Sequence, residues 1–108
     1  MKNSETLDSL ENWLVRLETL SSIEINLGLE RVDVVLKRLN LKKFEYVISI
    51  AGTNGKGSTA AILSALLKEM SFCVGSYTSP HLHKYNERIN INGISVSDEQ
   101  IVQAFKRV

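Results

Sequence analysis

Gly52-Thr53-Asn54-Gly55-Lys56-Gly57-Ser58-Thr59 is the stretch on which the reading of this 108-residue chain turns. Its glycines leave room for peptide N–H groups to converge on an anion. A lysine stands at the entrance of an expected helix, whose amino end adds about half a positive charge. A backbone built in this way cradles phosphate, and the guest it implies is a nucleotide.

The flanks supply the context such a loop needs. Before it, Tyr46-Val47-Ile48-Ser49-Ile50 is short, β-branched and largely apolar, which predicts a strand buried on both faces. After it, Ile62, Leu63, Leu66, Leu67 and Met70 recur at helical spacing, and Ala60, Ala61 and Ala65 favour the helix. The loop departs from the general phosphate-loop pattern at two points. Ile50 stands where that pattern has its first glycine, and Gly57 follows the lysine where a magnesium-binding Ser or Thr is usual. Ser58 or Thr59 can bond a phosphate, but a metal ligand must come from elsewhere. A glycine-rich βα turn made for steric reasons alone is the competing reading, and it leaves the lysine inside the turn unexplained.

Composition narrows the class. With 44% hydrophobic and 23% charged residues, the chain has the makeup of globular protein and not of a disordered tail. A net charge of +1 without a Lys/Arg-rich run argues against a nucleic-acid surface; Lys37, Arg38, Lys42 and Lys43 read as a solvated helix end. No segment approaches the roughly 18 apolar residues of a membrane span. Glu5, Asp8 and Glu11 among the first leucines exclude a signal peptide, so the expected location is the cytoplasm. Cys73, within Phe72-Cys73-Val74, reads as strand core, and His81 and His83 read as polar surface residues after Pro80.

Leu10, Trp13, Leu14 and Leu17 predict an amphipathic helix over residues 5–19, with Trp13 as a packing anchor. Val32, Val35, Leu36 and Leu39 predict a second helix that stops at Asn40. Residues 73–77 read as a strand in parallel pairing with residues 46–50 through a right-handed crossover. Asn92-Gly93 between alternating segments predicts a two-stranded ribbon, and Ser97 with Gln100 forms a capping box for a last helix carrying Ile101, Val102 and Phe105. The expected fold class is α/β: the amino-terminal part of a P-loop ATPase domain with a mostly parallel sheet, plus a β-ribbon. Two parallel strands and a ribbon make a poor sheet on their own, so residues 1–108 are expected to open a larger α/β protein.

Four segments in order, Asn26-Leu27-Gly28-Leu29-Glu30-Arg31-Val32, Ala51 to Ser58, Tyr77-Thr78-Ser79-Pro80-His81-Leu82, and Glu87-Arg88-Ile89 with Asn92-Gly93, resemble the start of folylpolyglutamate synthase and dihydrofolate synthase. These belong to the ATP-dependent amide-forming ligases that include the Mur ligases. The likeness covers nearly the whole chain and about the first quarter of such an enzyme. It implies that residues 1–108 are the amino-terminal segment of the ATP-binding domain, the rest of that domain and the carboxy-terminal glutamate-binding domain lying outside them. It implies that Gly55, Lys56, Gly57 and Ser58 hold the ATP phosphates, with Gly52, Thr53, Asn54 and Thr59 completing the loop. Ser79 is then a ligand of Mg2+, with a Glu and a His further along as the others. Asn26, Leu27, Gly28 and Leu29 match the loop that contacts the pterin part of the substrate; dihydropteroate-using members can carry Asp where this chain has Asn26.

The resemblance implies joining of L-glutamate to dihydropteroate or reduced folate, at the expense of ATP, by a monomeric full-length protein. A carboxylate does not accept an amine in water because its leaving group is too poor, so an acyl phosphate must form first. Transfer of the γ-phosphoryl group needs positioning and neutralisation of charge, which is work for Lys56, the loop amides and Mg2+. The chain alone is expected to be inactive. Two other readings remain open: a non-catalytic P-loop nucleotide-binding module acting through a partner, and a Mur-type ligase of peptidoglycan precursors.

Overall fold

The computed structural model describes residues 9–21, without the side chain of Ser21, and residues 28–108. In chain order the elements are α1 (Leu10–Ser21), α2 (Glu30–Leu39), α3 (Lys56–Glu69), β1 (Gly75–Tyr77), a 3-10 turn (Tyr85–Arg88), β2 (Ile89–Ile91), β3 (Ile94–Ser95) and α4 (Asp98–Arg107). They divide into two compact units, one from the described part of Met1–Glu45 with Asp98–Val108, the other Tyr46–Ser97.

In the first unit, α1 opens on a cap. The Ser9 hydroxyl accepts the Asn12 amide at 3.3 Å, and the Ser9 carbonyl accepts that of Trp13 at 3.2 Å. Residues 5–8 of the expected helix lie outside the described residues. α1 packs against α4, with Leu10, Ile101 and Val102 buried. Trp13 is the anchor its spacing predicted: its ring stacks on Phe105 at 5.5 Å and 20°, with the Arg16 guanidinium 5.4 Å from its centre. Its indole Nε1 is buried with no acceptor among the described residues. α2 stops at Asn40, whose φ of 47° and ψ of 45° turn the chain left-handed, as a helix terminator must.

In the second unit, α3 packs against β1. The helix closes in a Schellman arrangement, with Phe72 N–H donating to Leu67 O at 3.1 Å and Ser71 N–H to Lys68 O at 2.9 Å. β1, β2 and β3 form one antiparallel sheet in that order, with Gly75 opposite Ile91, Tyr77 opposite Ile89, and Ile91 opposite Ile94. The ribbon turns at Asn92 (φ 52°) and Gly93 (φ 82°), both left-handed, as expected of Asn-Gly in a two-residue hairpin. Asn92 also ties the turn to the preceding segment, its Oδ1 accepting Val74 N–H at 2.8 Å.

Two expectations are corrected. Residues 46–50 enter no sheet ladder, and β1 pairs antiparallel with the ribbon instead of parallel with them. A parallel strand needs cover on both faces. Tyr46, Val47 and Ile48 are 73%, 75% and 58% exposed, so the described residues supply no such cover. The ribbon, close in sequence, offers β1 a partner at a lower loop-closure cost. Cys73 lies before β1, not within a strand core, and is exposed.

The Trp13 stack makes a discriminating variant pair. Trp13→Phe keeps the ring contact and removes the orphan donor, so the unfolding free energy of the full-length protein in urea should stay within about 1 kcal/mol of the parent. Trp13→Ala should cost about 2 kcal/mol or more.

Candidate functional site

The glycine loop is held in its curve by backbone torsion and by its own lysine. Gly55, at the amino end of α3, has φ 77° and ψ 6°, a conformation that strains any residue with a Cβ. The Lys56 ammonium reaches back to donate to the carbonyl of Gly52 and, at 3.5 Å, to that of Thr53. Thr59 N–H makes the first regular bond, to Gly55 O at 2.9 Å. The amides of Lys56, Gly57 and Ser58 precede it and have no carbonyl one turn back within the helix to bond. The loop from Gly52 to Thr59 is exposed. Free amides, a helix dipole and an ammonium therefore face solvent in one short segment.

Gly57 is the informative glycine. It lies within the first turn of α3 without a positive φ, and a Cβ built there meets no atom within 4 Å. Neither torsion nor packing among the described residues calls for glycine at this position, and the space beside its backbone is open.

Ser79 lies in the same unit, in the exposed segment after β1, before Pro80 in a cis peptide. Among the described residues no cluster of three His, Cys, Asp or Glu side chains could hold a metal. A lone hydroxyl nevertheless suits Mg2+, which takes hard oxygen ligands and commonly completes its shell with phosphate oxygens and water. Gly28 and Leu29 belong to the other unit, immediately before α2. Leu29 is exposed and caps α2, its carbonyl accepting Asp33 N–H at 2.9 Å. Asn26 and Leu27 lie outside the described residues.

The segment after Ser79 is organised by Glu87 and Arg88, present in the Glu87-Arg88-Ile89 motif but with no role assigned to either from sequence. The Glu87 carboxylate accepts the amides of Leu82 at 3.0 Å, His83 at 3.0 Å and Lys84 at 2.8 Å. These bonds, that of Lys84 first, lower its pKa to about 2. Arg88 Nε donates to His81 Nδ1 at 2.8 Å, and Tyr85 lies edge-on to the His81 ring at 5.9 Å. His81 is thus half-buried and bonded instead of a free surface residue; His83 is exposed, as expected. Glu87 stands at capping-box distance from Lys84, but with lysine where Ser or Thr is usual the spacing did not single it out.

A glycine loop at a helix amino end, in a unit of mixed helix and sheet, makes this part of a P-loop α/β domain. No family model matches the chain. It is 39% identical over 108 residues to the dihydrofolate synthase/folylpolyglutamate synthase of Escherichia coli strain K12, covering 99% of this chain and 26% of that protein. Among solved structures, E. coli FolC in complex with DHPP and ADP superposes with a TM-score of 0.84 at 42% identity, over 92% of this chain and 24% of that one. The Yersinia pestis bifunctional folylpolyglutamate synthase/dihydrofolate synthase complexed with AMPPNP and Mn ion gives 0.82 at 45% identity, over 90% and 24%. The chain belongs with the dihydrofolate synthase/folylpolyglutamate synthases, as the counterpart of their amino-terminal part. It spans about a quarter of the length of these relatives.

Two measurements follow from this geometry. Gly57→Ala should raise thermal stability by up to about 1 kcal/mol through helix propensity while weakening nucleotide binding, read by calorimetry on the full-length protein. The Glu87 carboxyl should titrate near pH 2 instead of 4.5 in carbon-detected NMR. Because its folded pKa is depressed, its stabilisation of the segment is complete above about pH 4.5 and is lost as pH falls towards 2, with the Leu82, His83 and Lys84 amide signals shifting together.

Proposed function

We propose that the full-length protein corresponding to this chain is an ATP-dependent ligase that joins L-glutamate to dihydropteroate or to reduced folates through an acyl phosphate. Gly57 carries the reading: it is a glycine that neither torsion nor packing among the described residues requires, beside a lysine and the unpaired amides of a helix start. Identity of 39% to a dihydrofolate synthase/folylpolyglutamate synthase across the chain supports the same assignment.

In this reading the amides of Gly55, Lys56, Gly57 and Ser58 bind the ATP phosphates, with Gly52, Thr53, Asn54 and Thr59 shaping the loop. Lys56 exchanges its bonds to the Gly52 and Thr53 carbonyls for phosphate oxygens. Its charge, fixed before reaction, then stabilises the transferring γ-phosphoryl group as that group moves to the substrate carboxylate. Ser79 holds Mg2+, which when bound neutralises phosphate charge. The amine of glutamate attacks the activated carbonyl and phosphate leaves. Asn26, Leu27, Gly28 and Leu29 contact the pterin. Residues 1–108 are the opening segment of the ATP-binding domain, and the glutamate-binding domain with the remaining metal ligands lies further along the full-length protein. That protein works as a cytoplasmic monomer. No helix among the described residues is long and apolar enough to cross a membrane.

ATP-dependent incorporation of labelled glutamate by the full-length protein, with dihydropteroate and tetrahydrofolate compared as acceptors, tests the assignment. Lys56→Ala should lower the rate by orders of magnitude, about 3 kcal/mol or more of transition-state stabilisation. Undiminished incorporation in that variant would overturn the reading.

A further inference from the structure

We propose that Glu87 and Arg88 are positioning residues for Ser79, fixing the backbone on both sides of it so that its hydroxyl is presented to a divalent cation. The proposal rests on the assignment of Ser79 as a metal ligand and extends it to two residues that do not touch the metal.

The bonds come from both directions. Ahead of Ser79, Thr78 N–H donates to the Arg88 carbonyl at 2.8 Å. Beyond Pro80, His81 accepts from Arg88 Nε, and the next three amides converge on the Glu87 carboxylate. Two consecutive residues thus grip every position from 78 to 84 except Ser79 and Pro80 themselves, and proline has no N–H to give. The Arg88 guanidinium is steadied in turn, 5.4 Å from the centre of the Tyr85 ring.

Among the described residues, burial does little to hold this segment. Leu82, its one large aliphatic side chain, is 86% exposed, and His83 and Lys84 are exposed as well. Its shape therefore depends on polar bonds, and charge-assisted bonds to a carboxylate are the stronger kind. The 3-10 turn that carries Glu87 and Arg88 is anchored through Asn86, which is buried and donates to the Val96 carbonyl at 2.9 Å. The chain of support runs from the ribbon, through the turn, to the two residues left ungripped. A single hydroxyl is a weak metal ligand unless its approach is set in advance, which is what such outer partners provide.

The test uses the full-length protein with ADP, and Mn2+ as the probe, bound Mn2+ being read from loss of the free-ion EPR signal. Ser79→Ala and Glu87→Gln should each weaken Mn2+ binding about ten- to a hundredfold. Arg88→Lys should weaken it less, because the main-chain bond to Thr78 survives. Affinity for ADP without metal should be unchanged in all three, and excess Mg2+ should restore kcat in Glu87→Gln. Parent-like Mn2+ affinity in Glu87→Gln, with Ser79→Ala impaired, overturns the positioning role and leaves the metal assignment standing. Parent-like affinity in Ser79→Ala overturns the metal assignment itself. A parallel loss of metal-free ADP binding in Glu87→Gln that excess Mg2+ does not rescue marks a general structural role and also overturns the proposal.

Discussion

A helix leaves the amides of its first turn without partners, and α3 begins where that deficit is most exposed. Gly55 turns the chain left-handed into the helix, Gly57 keeps its approach open, and Lys56 folds back over the loop that precedes it. These groups share one electrostatic requirement: negative charge held close to the backbone. The antiparallel sheet contributes to the same unit through β1, which packs on α3 and leads directly into the segment bearing Ser79.

Local signals were legible in the sequence wherever the chemistry is local. Asn92-Gly93 dictated its hairpin because both residues tolerate positive φ, and Asn40 ended α2 for the same reason. The spacing of Trp13 marked it as an anchor, although its partner Phe105 lies at the far end of the chain. The loop and its helix could be read because the geometry of Gly-x-x-Gly-Lys-Gly is set by torsion and steric access, both properties of a few adjacent residues.

What the sequence concealed was pairing at a distance. Residues 46–50 carry a strand's composition, but a strand exists only where a ladder and two covering layers exist, and those depend on other segments. β1 pairs with the ribbon on one side, and its other side carries no ladder among the described residues. Glu87 and Arg88 were visible as a charged pair, yet nothing in their spacing disclosed that one would collect three amides and the other bridge Thr78 to His81. Motif reading finds the groups that meet a ligand more readily than those that hold such groups in place.

The bent-back Lys56 has a further consequence for selectivity among anions. Its ammonium is already engaged by two carbonyl oxygens of the loop, while the amides at the start of the helix are not. Any anion must displace those bonds to recruit the lysine. An ion that offers a single contact returns little for that exchange, whereas an anion with several oxygens has enough acceptors to replace both bonds and still meet the amides. The folded-back lysine therefore makes the number of oxygens an anion presents, and not its charge alone, the quantity the loop weighs.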